Sequence, residues 1–177
     1  MIEPVWLISG VPGAGKTTVG RALCARYARA VHLPVDEIRD FVVSGYANPL
    51  LPGTAEMRSQ FRIARRVAAY AANLYAAAGF AVVIDDVVNP MTLQNFEPEL
   101  DVTNVRKVIL APTLETLLHR NATRTNKTFP SESLVATIED LHATYFTDTT
   151  GFLVLDTSQL SVDATVDALV RSFEAAP

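Results

Sequence analysis

Gly10-Val11-Pro12-Gly13-Ala14-Gly15-Lys16-Thr17 decides how this 177-residue chain is read. The stretch matches G-x-x-x-x-G-K-[ST] at every specified position, the pattern of a phosphate-binding P-loop. Glycines let the backbone curl so that successive N–H groups point at phosphate oxygens. Lys16 supplies a flexible point charge for the β- and γ-phosphates. The Thr17 hydroxyl suits one coordination position of Mg²⁺, and the helix that starts here adds its positive end. The flanks match the setting such a loop requires. Val5-Trp6-Leu7-Ile8 reads as a buried strand before it, and 17–29 as a helix after it, with Val19, Leu23 and Tyr27 recurring about every four residues. Gly10, Gly13, Ala14, Gly15, Lys16, Thr17 and Thr18 are therefore the expected nucleotide-binding residues, joined by Arg120 from further along the chain.

Strand-like and helix-like segments alternate from there onward. Strands are expected at 31–35, 80–84, 105–110 and 152–155. Helices are expected at 36–43, 54–78, 113–124, 131–146 and 162–175, with Thr54 and Ser131 as caps and Gly79 as a stop. Residues 45–53 read as a loop, 89–100 as loop and helix, and 126–130 as a break. The alternation predicts an α/β protein of three layers, a mostly parallel sheet between helices. With no linker and no repeat, 1–177 reads as a single domain. In such folds ligands bind beyond the carboxyl ends of the strands, so the residues just after each strand matter most.

Asp36 follows the second strand, with Arg39 one helical turn on. A carboxylate there can orient an acceptor hydroxyl and take its proton, and a cation can stabilise the acceptor or the phosphoryl group in transit. Helix capping by Asp36 is the plainer alternative and is compatible with catalysis. Asp85 and Asp86 end the third strand, where a carboxylate beside a P-loop serves Mg²⁺. Adjacent strand residues point to opposite sides, so one of the two is expected at the metal, and the sequence does not say which. Arg120 and Arg124 are spaced i, i+4, and Lys127 follows. They suggest a short lid at about 124–131, whose arginines stabilise the transferring group and exclude water. A cationic turn complementing the helix dipole is the simpler alternative.

Arg58, Arg62, Arg65 and Arg66 could bind an anionic acceptor but read by default as a solvated face of the long helix, and Tyr46 and Phe61 could line an acceptor pocket but read by default as core. His32, His119 and His142 have no metal-ligand spacing and receive no role. Asp156-Thr157-Ser158 lies near where a base would sit, though a turn and cap explain it equally well. The single cysteine, Cys24, excludes an internal disulfide and reads as a core thiol. With 49% hydrophobic and 19% charged residues the chain is globular rather than disordered. A net charge of −4 argues against a general affinity for nucleic acid, while leaving room for a small basic groove. No leader and no apolar run of membrane-spanning length is expected, which reads as a cytoplasmic protein.

The chain resembles P-loop small-molecule kinases of the nucleoside-monophosphate-kinase-like fold, nearest to chloramphenicol-phosphotransferase-like and gluconate-kinase-like proteins. The wider grouping includes polynucleotide kinases and zeta-toxin-type kinases. Val82-Val83-Ile84-Asp85-Asp86-Val87 is similar to the strand-plus-DDV segment of the chloramphenicol enzymes. Asp36-Glu37-Ile38-Arg39 is similar to the D-x-x-R of polynucleotide kinases, where the Asp is the general base. Arg120 and Arg124 stand where the grouping carries lid arginines, and Asp156-Thr157-Ser158 resembles its D-T-S strand end. The further arginine and glycine patterns of shikimate kinases are absent. The resemblance implies a five-stranded parallel sheet, ATP, Mg²⁺ and transfer of a phosphoryl group to a hydroxyl of a small molecule, a metabolite or an antibiotic. Polynucleotide 5′-hydroxyl kinase and a nucleotide-binding regulatory module with little catalysis are the alternatives.

Overall fold

The computed structural model describes residues 3–50, 52–94, 99–123, 131–145 and 147–174. Five strands, β1 (Val5–Ser9), β2 (Ala30–Pro34), β3 (Ala81–Asp85), β4 (Val105–Leu110) and β5 (Leu153–Leu155), form one sheet in the order β2-β3-β1-β4-β5. Every pairing is parallel. Among the described residues seven α-helices lie around it: α1 (Lys16–Cys24), α2 (Val35–Arg39), α3 (Ala55–Ala77), α4 (Pro90–Leu93), α5 (Leu114–Thr123), α6 (Val135–Thr144) and α7 (Val162–Glu174).

The unbroken apolar runs of β1 and β3 follow from burial on both faces. Alternate residues of β1 serve two cores. Trp6 and Ile8 pack with Val19 and Leu23 of α1 and with Leu117, Ile138, Val166 and Leu169. Val5 and Leu7 pack on the other face with Val82, Ile84 and the Ala64, Ala68, Ala69 and Ala72 side of α3. Small residues along α3 let that long helix lie close to the sheet.

Thr54 caps α3, its hydroxyl accepting from the Met57 N–H at 3.0 Å. At the other end the Gly79 N–H reaches Ala76 O and the Phe80 N–H reaches Tyr75 O, a Schellman closure. Three expected helices differ in extent. α1 stops at Cys24 rather than running to 29, because the chain turns through 25–29 to enter β2 and Tyr27 turns inward, its hydroxyl accepting from Trp6 Nε1 at 3.0 Å. α2 ends at Arg39, where the chain departs to cover that side chain. The segment from Ser131 begins as a 3₁₀ turn over Ser131–Leu134 and becomes α-helical at Val135. The expected lid, with Arg124 and Lys127, lies outside the described residues apart from its last position. Among the described residues no helix is long and apolar enough to cross a membrane.

Candidate active site

The P-loop wraps from the end of β1 into α1, at the point where the sheet order reverses from β3 on one side to β4 on the other. Gly13 and Gly15 sit at φ of 90° and 91°, the left-handed region that side chains avoid. Gly10 is required by a close approach: a Cβ there would lie 2.7 Å from Leu110 O. Ala14 is buried against the core beneath the loop. Lys16 Nζ donates back across the loop to Val11 O at 3.5 Å.

A cleft of about 1450 Å³ opens over this loop. Gly13, Ala14, Gly15, Lys16, Thr17, Thr18, Asp85 and Arg120 line one part of it, and Asp36, Tyr46, Phe61, Arg58, Arg62 and Arg65 line another. Leu134, Leu141, Tyr145 and Thr157 contribute further lining.

The two adjacent aspartates go opposite ways. Asp85 shares the α1 side of β3 with Val83, and its Oδ1 accepts from the Thr17 hydroxyl at 3.4 Å. Its Oδ2 lies 2.6 Å from His32 Nε2. Asp86 turns toward α3, where Oδ2 accepts from Arg65 Nε at 2.5 Å and Oδ1 from the Val87 N–H at 2.7 Å. Burial pushes the Asp86 carboxyl up from its ordinary value, and Arg65 offsets part of that. The Arg65 guanidinium is raised in turn: desolvation, the largest single effect, lowers it, and the Asp86 charge and hydrogen bond with smaller contributions from Tyr145 and Asp36 together outweigh that. Asp36 adds to both shifts, so its carboxylate lies within electrostatic reach of this pair.

A hard-oxygen pair of hydroxyl and carboxylate beside a phosphate loop fits Mg²⁺, which takes one or two protein oxygens and keeps its waters. Thr17 and Asp85 form that pair; Asp86, committed to Arg65, does not. No cluster of three or more His, Cys, Asp or Glu side chains suited to a metal occurs among the described residues.

Arg120 spans the cleft's edge, its Nη2 donating to Thr157 O at 2.8 Å and its Nη1 to Ala14 O at 3.4 Å. It ties the P-loop to the segment after β5, which brings the Asp156-Thr157-Ser158 turn beside the loop. In that turn the Asp156 carboxylate accepts from the Ser158 N–H and hydroxyl, which holds its pKa down. Arg39 departs from its expected place. It is 1% exposed, stacks on Phe61 at 3.9 Å and Tyr46 at 4.9 Å, and donates to Ala47 O at 2.6 Å. The rings and the loop that follows α2 close over the guanidinium, so it stiffens the wall behind Tyr46 and Phe61 and does not line the cleft.

Three contacts at the site are not given by the sequence. Arg65 read as solvated because its partner Asp86 arrives from another element. His32 had no nearby ligand in sequence, and its partner lies across the β2–β3 ladder. Tyr145 donates to Val87 O at 2.6 Å and meets Thr92 Oγ1 at 3.2 Å, which fixes the chain after Asp86. Burial pushes the Tyr145 hydroxyl up to about 12. Cys24, expected in the core, is half-buried against its edge, and burial raises the thiol to about 11.

The family model described as AAA domain matches residues 5–147, and the chain belongs to that family. Its fold is that of P-loop kinases. A sugar kinase from Janibacter sp. HTCC2649 superposes with a TM-score of 0.68 at 19% identity, covering 99% of this chain and 96% of that one. A shikimate kinase from Bacteroides thetaiotaomicron gives 0.67 at 16% identity, with 97% and 98% covered. A gluconokinase from Sinorhizobium meliloti 1021 gives 0.63 at 20% identity, with 98% and 95% covered. At these identities the likeness is one of fold. No curated protein matches the sequence.

Proposed function

We propose that this protein is an ATP-dependent phosphotransferase that moves the γ-phosphoryl group of ATP to a hydroxyl of a small molecule, a metabolite or an antibiotic. One observation carries the reading: Asp36 lines the same cleft as Lys16, Thr17 and Asp85 of the P-loop side. The kinase names of the fold neighbours support it, as does the resemblance of the motifs.

The loop amides and Lys16 hold the phosphates, and Lys16 follows the charge that develops on the transferring group. Thr17 and Asp85 are the residues that would hold Mg²⁺, which when bound neutralises charge on the β- and γ-phosphoryl oxygens. Asp36 orients the acceptor hydroxyl and accepts its proton as the new O–P bond forms. Arg120, anchored between the P-loop and Thr157, borders the nucleotide and contributes positive charge there. Arg124 would act from the lid. Tyr46 and Phe61 give the acceptor an apolar wall, stiffened by Arg39. Catalysis is chiefly positioning and electrostatic stabilisation. A cytoplasmic location goes with a co-substrate such as ATP.

The polynucleotide 5′-hydroxyl kinase reading draws on one observation: Arg58 and Arg62 line the cleft beside Arg65 and suit an anionic acceptor. Strong weakening of acceptor binding by salt would favour it.

Asp36→Asn tests the mechanism. Turnover is expected to fall about 10²-fold or more with KM for ATP little changed, since general-base groups contribute at that scale. Unchanged turnover in Asp36→Asn, with Lys16→Ala inactive, would remove Asp36 from the role of base.

A further inference from the structure

We infer that His32 is a positioning residue that sets the orientation of Asp85 for the metal. The inference rests on the reading of the cleft as an Mg²⁺–ATP site. His32 pairs with Val83 in the β2–β3 ladder, and Asp85 is the next residue along β3 on the same face. The ring therefore points along the sheet toward the carboxylate, and Nε2 comes to 2.6 Å from Oδ2. Both side chains are nearly covered, at 12% and 5% exposure. Thr17 meets the other oxygen, Oδ1. The carboxylate is thus gripped at both ends, His32 on the inner oxygen and the P-loop hydroxyl on the outer one.

The P-loop helix is shaped around this contact. Gly20 lies against the ring, where a Cβ would stand 2.7 Å from His32 Nε2, 3.1 Å from Cδ2 and 3.3 Å from Val83 Cγ1. Gly20 is helical and has an ordinary backbone, so the close approach and not a special φ accounts for the missing side chain. An alanine there would push the ring off its line to Asp85. An imidazole whose Nε2 bears the proton donates to Asp85 and leaves its negative charge for the metal. Hydrogen bonds to a ligating carboxylate fix its direction, and losing such partners typically costs about 10–100-fold in metal affinity.

The test is the dissociation constant of ATP, measured by calorimetry in Mg²⁺ and again in EDTA, for the full chain and for His32→Leu, His32→Gln and Gly20→Ala. In the wild type Mg²⁺ is expected to tighten ATP binding. In His32→Leu that tightening should shrink about tenfold or more, while metal-free ATP binds as before. His32→Gln, which keeps an N–H near the carboxylate, should recover part of the loss, and Gly20→Ala should reproduce it with His32 still present. A merely structural histidine would weaken ATP alike with and without metal.

Folded His32→Leu with the full wild-type Mg²⁺ effect overturns the inference alone. Wild-type protein that binds no ATP overturns the nucleotide reading and this inference with it. ATP binding indifferent to Mg²⁺ in the wild type removes the metal from Asp85. Should His32→Leu fail to fold, the wild-type ring decides by NMR. A slowly exchanging, downfield Nε2 proton on His32 that moves when Mg²⁺ is added to the ATP complex supports the contact, and a Nε2 that carries no such proton overturns it.

Discussion

Asp85 and Asp86 are chemically identical neighbours with different tasks, and the pleat of β3 separates them. Asp85 falls on the side of α1 and meets Thr17, and Asp86 falls on the side of α3 and meets Arg65. The sequence carried the alternation but not the identity of the layers, so it left both open as metal ligands. Arg65 and His32 were illegible for a related reason. Each acquires its meaning from a partner that only tertiary packing supplies. The P-loop, by contrast, was legible because its chemistry resides in consecutive backbone positions. Arg39 shows the limit of helical spacing: it lies one turn from Asp36, yet the loop after α2 folds over it. Tyr145 gives a prediction at this scale. Its hydroxyl is raised from 10.0 to about 12 by burial. An unfolded tyrosine ionises near its ordinary value, so between those two pH values the native state binds more protons than the unfolded one. Stability is therefore fully present below about pH 10 and falls as pH rises toward about 12. Tyr145→Phe should flatten the decline of Tm over that window, and an unchanged slope would show that the group does not titrate late.

At the scale of elements, most strands and helices could be read because their apolar runs and stops agree with their burial. α3 is the fullest case. Thr54 starts it and Gly79 stops it as the sequence indicates, while alanines face the sheet and Arg58, Arg62 and Arg65 face the cleft. The cleft-facing set could not be separated from a solvated one without the loop that brings Tyr46 opposite. α1 was read too long because Tyr27 continues the apolar period, although it does so from a turn and not from a fourth helical turn. Thr54→Ala removes the side-chain acceptor for the Met57 N–H and should cost about 1 kcal/mol in denaturant unfolding. A loss below a few tenths would mean that water replaces the cap without penalty.

Across the whole molecule, alternation of strand and helix was enough for a layered α/β fold, and the resemblance supplied the five-stranded sheet. The order β2-β3-β1-β4-β5 then accounts for the site: β1 delivers the P-loop, β3 beside it delivers Asp85, and β2 beyond delivers Asp36 and His32. In the proposed function, these three neighbouring strands would place phosphate binding, metal binding and acceptor activation in sequence along one edge of the cleft. The acceptor is beyond reach of the sequence, because the part of the cleft proposed for it is assembled from α2, α3 and the loop between them.

The most direct measurement follows label from γ-labelled ATP, with Mg²⁺, into a panel of sugars and sugar acids, nucleosides, hydroxylated antibiotics and 5′-hydroxyl oligonucleotides, with Lys16→Ala as the blank. Label on one class of small hydroxyl compound, absent in Lys16→Ala, is the expected result. Label confined to oligonucleotides, or tight ATP binding with no transfer to any member, would contradict a small-molecule kinase.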